Sequence, residues 1–423
     1  MLLAIVLIKS CDYDLTFSPA QTQDIGFSSD TVYLDTVFTS IGSSTYNLRI
    51  YNLSDRNVEI GSIRLGQGSQ SQFRINVDGI HSESFEQVEL LAKDSIYVFI
   101  ETTVDIKEYT PNATEFLYND QLLVDNQAVE LITLVKDAIF LYPERDKDGI
   151  KEILPLGIDD EGNVVGIEGF YLDDDELVFT NEKPYVIYGY AGIPPEKTAV
   201  FEAGARIHFH DNSGLIAAQS SSVHVLGNPS VDEEQLEGEV IFAGDRLEPF
   251  FEDIPGQWGT IWLTAGSTNH IFRHATIKNA SVGILMDYND ETENPTLLLE
   301  QTQIHNSSTV GLWAKTAHVK AVNSIFGNAG NASFYGNIGG SYEFTHCTFS
   351  NYWNRSFRST PAVILNDYVP ISDTEDFVMP LEKAVFVNCI IDGNQSVEFG
   401  VEQKGEQELS FTLDHTALRF DPI

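Results

Sequence analysis

Basic residues are scarce in this chain: 24 Lys and Arg stand against 63 Asp and Glu, a formal net charge of −39 over 423 residues. A nucleic-acid or anionic-lipid surface needs a basic stripe, and no cluster of Lys and Arg occurs, so a nucleic-acid partner is excluded. Cysteine is scarcer still, three residues. No disulfide framework can therefore define the fold, although Cys347 and Cys389 could form one bridge in an oxidising compartment. Long apolar runs are missing too. After residue 11 no segment approaches the ~18 consecutive apolar residues of a spanning helix. What is left is a strongly acidic chain long enough for two or three domains with substantial cores.

The start of the chain, MLLAIVLIKSCDYD, is the exception to its polarity. As a helix, Met1 to Ile8 spans only ~12 Å, well short of a ~30 Å hydrocarbon core. A short apolar segment ending at a small residue, here Ser10, fits a secretory leader over 1–10. A short buried strand opening the fold is the alternative. The order Ile8-Lys9-Ser10-Cys11 resembles a bacterial lipobox, which implies a diacylated Cys11 and a post-lipid linker over 11–30. Asp12 and Asp14 are similar to the acidic signals that carry lipoproteins of the Bacteroidota to the outer face of the outer membrane. The membrane contact implied is the lipid anchor alone.

From Thr31 to Leu141, short runs such as TYNLRIYNL, SIYVFIETTV and AVELITLV alternate apolar and polar residues between Gly, Asn, Asp and Ser. That pattern predicts a β-sandwich with one wet face per sheet, and it resembles Ig-like modules. The stretch 142–197 is rich in Asp, Glu and Gly and reads as an acidic connector and cap. Within it, Asp146 and Asp148 stand at alternate positions before Gly149, like the first half of a calcium loop, but Pro155 occupies the position where such a loop carries its bidentate glutamate. A solvated turn is the simpler expectation there, with calcium as its rival.

Beyond Lys197 the chain repeats. FRHATIKN, LEQTQIHN, AVNSIFGN and FTHCTFSN end at Asn279, Asn306, Asn328 and Asn351, spaced by 27, 22 and 23 residues. In register they give a column Ile277, Ile304, Phe326, Phe349 and a small-residue column Ala275, Thr302, Ser324, Cys347. FVNCIIDG at 386–393 continues both columns, with Gly393 in place of the asparagine. If each repeat is one coil of a parallel solenoid, equivalent residues stack ~4.8 Å apart and the interior becomes continuous ladders. Asparagine tolerates left-handed backbone angles, so the asparagine ladder is expected to brace a corner. With GARIHFH, GEVIFAG and QWGTIWLTAGS, these phrases resemble right-handed parallel β-helix proteins of the pectate-lyase-like superfamily. The whole is similar to a functionally uncharacterised class of Bacteroidota surface lipoproteins. The expected fold is all-β: an Ig-like β-sandwich over 31–141, then a right-handed parallel β-helix over 198–423 with insertions near 246–257 and 354–380.

That superfamily contains polysaccharide lyases and hydrolases, but none of the N-x-D, D-D and G-H-G phrases of its polygalacturonase-like members occurs between 198 and 423. Arg273 and Lys278 on one coil, with Glu300 above Arg273, read as a surface ion pair more readily than as a remnant of a lyase site. His208 and His210 share one side of a strand. No catalytic residue, resident metal or cofactor is assigned. Binding has a clearer signal. Aligning GTIWL, VGILM, VGLWA and ASFYG puts Trp262, Leu285, Trp313 and Tyr335 in one outward column, a largely aromatic stripe. Exposed contiguous apolar surface is uncommon and means a partner or a cover. Candidate covers are the insertions at 246–256 and 354–380. Candidate partners are an outer-membrane protein complex and a cell-surface glycan. The expectation is a non-catalytic interaction or accessory protein, with a glycan-binding or glycan-cleaving protein as the alternative.

Overall fold

The computed structural model describes residues 15–420 except Asp160, Asp373 and Glu408. Cys11 and the leader lie outside the described residues, so the lipidation expectation is not addressed by it. The described chain is almost entirely β and divides into two units, one formed by 15–137 with 247–249 and one by 138–246 with 250–420.

In the first unit a six-stranded and a five-stranded sheet share one apolar core. Gln127–Lys136 is representative: Val129, Leu131, Thr133 and Val135 alternate inward, so every second residue is buried. Most pairs are antiparallel, but Thr31–Phe38 runs parallel to Gln127–Lys136. These are the first and last long strands of the unit, so no tight turn has to join them.

The second unit is built from three long sheets of ten, ten and nine strands, parallel except for the opening hairpin Ile153–Ile158/Val164–Tyr171, and through the central stretch each sheet takes every third strand of the chain. Face 1 runs from Ile139–Leu141 to Ala417–Leu418, face 2 from Ile153–Ile158 to Phe399–Glu402, and face 3 from Val178–Phe179 to Phe411–Asp414. The stretch 142–197 is therefore less a connector than the opening of the coils. It supplies Tyr185–Ile187 to face 1, Tyr190–Ile193 to face 2 and Val178–Phe179 to face 3. Its acidic turns hid these strands because the strands are short.

The repeat columns are stacked as the sequence predicts. Ile277 pairs with Ile304, Ile304 with Phe326, and Phe326 with Phe349, and all four are fully buried. Phe326 and Phe349 stack with ring centroids 4.9 Å apart and planes 9° from parallel. The small column turns the corner between faces 3 and 1 and is also buried. Thr302 Oγ1 donates to Phe272 O at 3.1 Å and Ser324 Oγ to Val322 O at 3.0 Å, so small polar groups satisfy carbonyls that bulkier residues would mask. Cys347 and Cys389 are neighbouring free thiols in this column. Each donates to a strand carbonyl, Cys347 Sγ to Thr345 O and Cys389 Sγ to Val387 O, both at 3.4 Å.

The asparagine ladder is only partly of the expected kind. Asn279, Asn306 and Asn328 have φ of 66°, 56° and 47°. Asn351 instead ends a strand, and its Oδ1 accepts from Ala329 N at 3.0 Å. Two of the other amides face an insertion: Asn279 Nδ2 donates to Glu252 O at 2.8 Å and Asn306 Nδ2 to Asp253 Oδ1 at 3.2 Å. A second left-handed turn recurs one corner earlier, at His274, Gln301, Asn323, His346, Asn388 and His415, with φ between 44° and 55°.

Candidate functional site

The predicted ring column is present on face 2. Trp262 pairs with Leu285, Leu285 with Trp313, and Trp313 with Tyr335, and the column continues to Ile364. All are half-buried. Trp313 and Tyr335 stack with centroids 5.8 Å apart and planes 18° from parallel. Two residues after Leu285, Trp313, Tyr335 and Ile364, and so on the same side of the sheet, runs a polar row that the sequence reading missed: Asp287, Lys315, Asn337 and Asn366. The period-2 alternation that located the rings would also have located this row.

The polar row ties the rings down. Trp262 Nε1 donates to Asp287 Oδ2 at 2.6 Å, and Asp287 pairs with Lys315 at 3.0 Å. The Lys315 ammonium lies 5.0 Å from the Trp313 ring centre. Asn366 Nδ2 donates to the Tyr335 hydroxyl at 3.0 Å, and Asn337 Nδ2 donates to Asn366 Oδ1 at 2.8 Å. Burial raises the Tyr335 pKa, so the phenol stays neutral. The result is a pre-organised face whose rings have their polar atoms engaged and their faces still partly open.

The cover differs from the one expected. Leu154 and Ile167, from the hairpin Ile153–Ile158/Val164–Tyr171, pack with Tyr190, Ile216 and Trp262 at one end of the column. The 246–257 insertion lies against the asparagine turns, and Arg355 reaches it from the second insertion, donating to Asp253 O at 3.2 Å. The 354–380 stretch itself supplies Ile364 to the column and Asn366 to the polar row, and its Tyr368 carbonyl accepts from Asn337 Nδ2 at 3.3 Å.

Arg273 and Glu300 are paired in register and joined by an ion pair, both partly exposed. Asp146 spends its carboxylate on its own turn, Oδ1 accepting from Asp148 N and Ile150 N at 2.8 and 2.9 Å. Among the described residues no group of three metal-ligating side chains converges. His208 and His210 both present Nδ1 to the next coil, His208 to Gly244 O at 2.8 Å and His210 to Asp245 Oδ2 at 2.7 Å. That second contact borders a cleft of about 670 Å³, which also takes in Tyr188, Tyr190, Lys151 and Glu168. Asp245, distant in sequence and one coil on, carried no signal that could have linked it to His210.

No family model matches the chain, and no curated protein matches it. Among solved structures the chain is similar to a family 123 glycoside hydrolase from Clostridium perfringens, studied for glycolipid glycan hydrolysis, at 9% identity and a TM-score of 0.19. The match covers 28% of this chain and 30% of that one, a likeness too slight to carry fold or function.

Proposed function

We propose that this is a non-catalytic interaction protein of the bacterial surface, an Ig-like β-sandwich followed by a right-handed parallel β-helix, tethered to the outer membrane by a lipid on Cys11 and facing outward. The β-helix presents Trp262, Leu285, Trp313 and Tyr335 to an outer-membrane protein partner. The observation that carries this reading is the in-register ring column held by its own polar row, because rigid aromatic anchors concentrate binding energy in few residues and lose little entropy on docking. The alternative partner, a cell-surface glycan, is favoured by the partly exposed carboxylate of Asp287 and ammonium of Lys315 beside the rings, since stacking faces flanked by hydrogen-bonding groups also suit sugars.

Affinity purification of the full chain from native membranes, with Trp262→Ala and Trp313→Ala alongside, tests the proposal. A barrel or other outer-membrane protein recovered with the wild type and lost in both variants is the expected result. Equal recovery from variants and wild type removes the ring column as the binding face.

A further inference from the structure

The cleft beside His210 meets the ring column only at its Trp262 end, through Ile167 and Tyr190, and has a chemistry of its own. Its floor is built by absence. The Tyr190 ring lies flat along the coils because Gly214 and Gly259 beneath it lack side chains: a Cβ at Gly259 would come within 2.0 Å of the Tyr190 hydroxyl, and one at Gly214 within 2.6 Å of its ring. One wall is the hairpin edge carrying Lys151 and Glu168, themselves an ion pair. Another part of the lining is Tyr188, whose ring packs on the His210 imidazole with centroids 4.4 Å apart. His210 Nδ1 donates to Asp245, a carboxylate held almost fully out of solvent, and this leaves Nε2 as the polar atom of the ring for the cleft. Asp211 and Ser281 complete the polar edge.

These groups select among ligand classes. The cations present are matched by carboxylates, Lys151 with Glu168 and His210 with Asp245, and Asp211 adds a further negative charge. An anion such as a phosphate therefore meets no net attraction, least of all on a chain of charge −39. An apolar ligand would strand the polar edge without partners. Ring faces bordered by hydroxyl, carboxylate, imidazole and ammonium groups suit a neutral molecule with many hydroxyls on a flat ring, and the volume lies within the ~300–1,000 Å³ usual for ligand clefts.

We propose that this cleft is a second binding site, for a neutral saccharide unit, with Tyr188 as the stacking surface and His210 and Asp211 as hydroxyl partners. It holds whether or not the ring column docks a protein. The test is ligand-observed saturation-transfer NMR on the full chain with a panel of neutral pentoses, hexoses, N-acetylhexosamines and their short β- and α-linked oligomers. Transfer to at least one sugar is expected, weakened at least ~10-fold in affinity by Tyr188→Ala and by His210→Ala, and unchanged by Trp313→Ala. Thermal melts confirm that the variants fold, and His210→Gln, which retains hydrogen bonding, should restore part of the affinity. No transfer from any sugar in the panel overturns the proposal. So does transfer that survives Tyr188→Ala, or transfer abolished only by Trp313→Ala. Binding of inorganic phosphate or methylammonium in place of sugars overturns the ligand class.

Discussion

Arg358 and Glu398 form an ion pair with side chains 1% and 0% exposed, and all their polar atoms but Arg358 Nε find partners in place of the lost water. The guanidinium donates to Glu398 Oε1 and Oε2 at 2.7 and 2.9 Å, to Thr360 O and Asn394 Oδ1 at 2.6 Å, and to Asn351 O at 2.7 Å. The carboxylate also accepts from Ala362 N and Gln395 N, both at 2.7 Å. The pair thus pins the second insertion to the last coils. Glu398→Gln strands a buried positive charge and should cost ~3–5 kcal/mol, as should Arg358→Leu, which strands the carboxylate. The double variant strands no charge and loses only imperfectly replaced hydrogen bonds, so it should cost ~1–3 kcal/mol, far below the sum of the singles. Urea unfolding followed by tryptophan emission reads this directly, because the four tryptophans, Trp258, Trp262, Trp313 and Trp353, all lie in the second unit. Single variants within ~1 kcal/mol of wild type, or a double variant equal to the sum, would refute the argument, since exposed pairs give about that little.

Phe326→Ala removes a fully buried ring from the middle of the face 1 ladder and should lower stability by ~3–5 kcal/mol in the same assay; a loss under ~1 kcal/mol would mean that the ladder collapses to fill the hole. His270 is buried, Val223 N donating to its Nδ1 at 3.2 Å and its Nε2 donating to Ser267 Oγ at 2.9 Å, and burial lowers its pKa from 6.5 to about 3. The unfolded chain then binds a proton that the folded chain refuses. Stability from this site is whole above pH 6.5 and falls as pH drops toward 3, so His270→Gln should flatten the acid side of the melting-temperature profile relative to wild type. His210 behaves oppositely, its pKa raised from 6.5 chiefly by the hydrogen bond to Asp245. Its contribution is whole below pH 6.5 and lost as pH rises through the raised value, so the wild-type advantage over His210→Gln should shrink on the alkaline side; a constant difference from pH 5 to 9 would contradict the pair. An NMR titration of the His210 ring checks the direction independently.

The ring column and the Ile277–Phe349 ladder were legible because stacking in register repeats one residue type at one interval. The turn at His274, Gln301, Asn323, His346, Asn388 and His415 was not, although it recurs as faithfully. Its requirement is a backbone angle rather than a side-chain shape, and several residue types tolerate that angle, so no column of like letters marks it. The opening coils within 142–197 were obscured for a related reason: strands of two to four residues are too short to show alternation between acidic turns.

Periodicity alone determined the parallel stacking and the outward ring column, because both are properties of the linear order of residues. Tertiary structure decided what crosses coils. It placed the 153–171 hairpin, and not either insertion, over one end of the rings; it brought Asp245 to His210; and it closed Glu398 on Arg358, 40 residues apart. Such pairings depend on how far each loop travels before the next strand begins, and no local interval in the sequence encodes that distance.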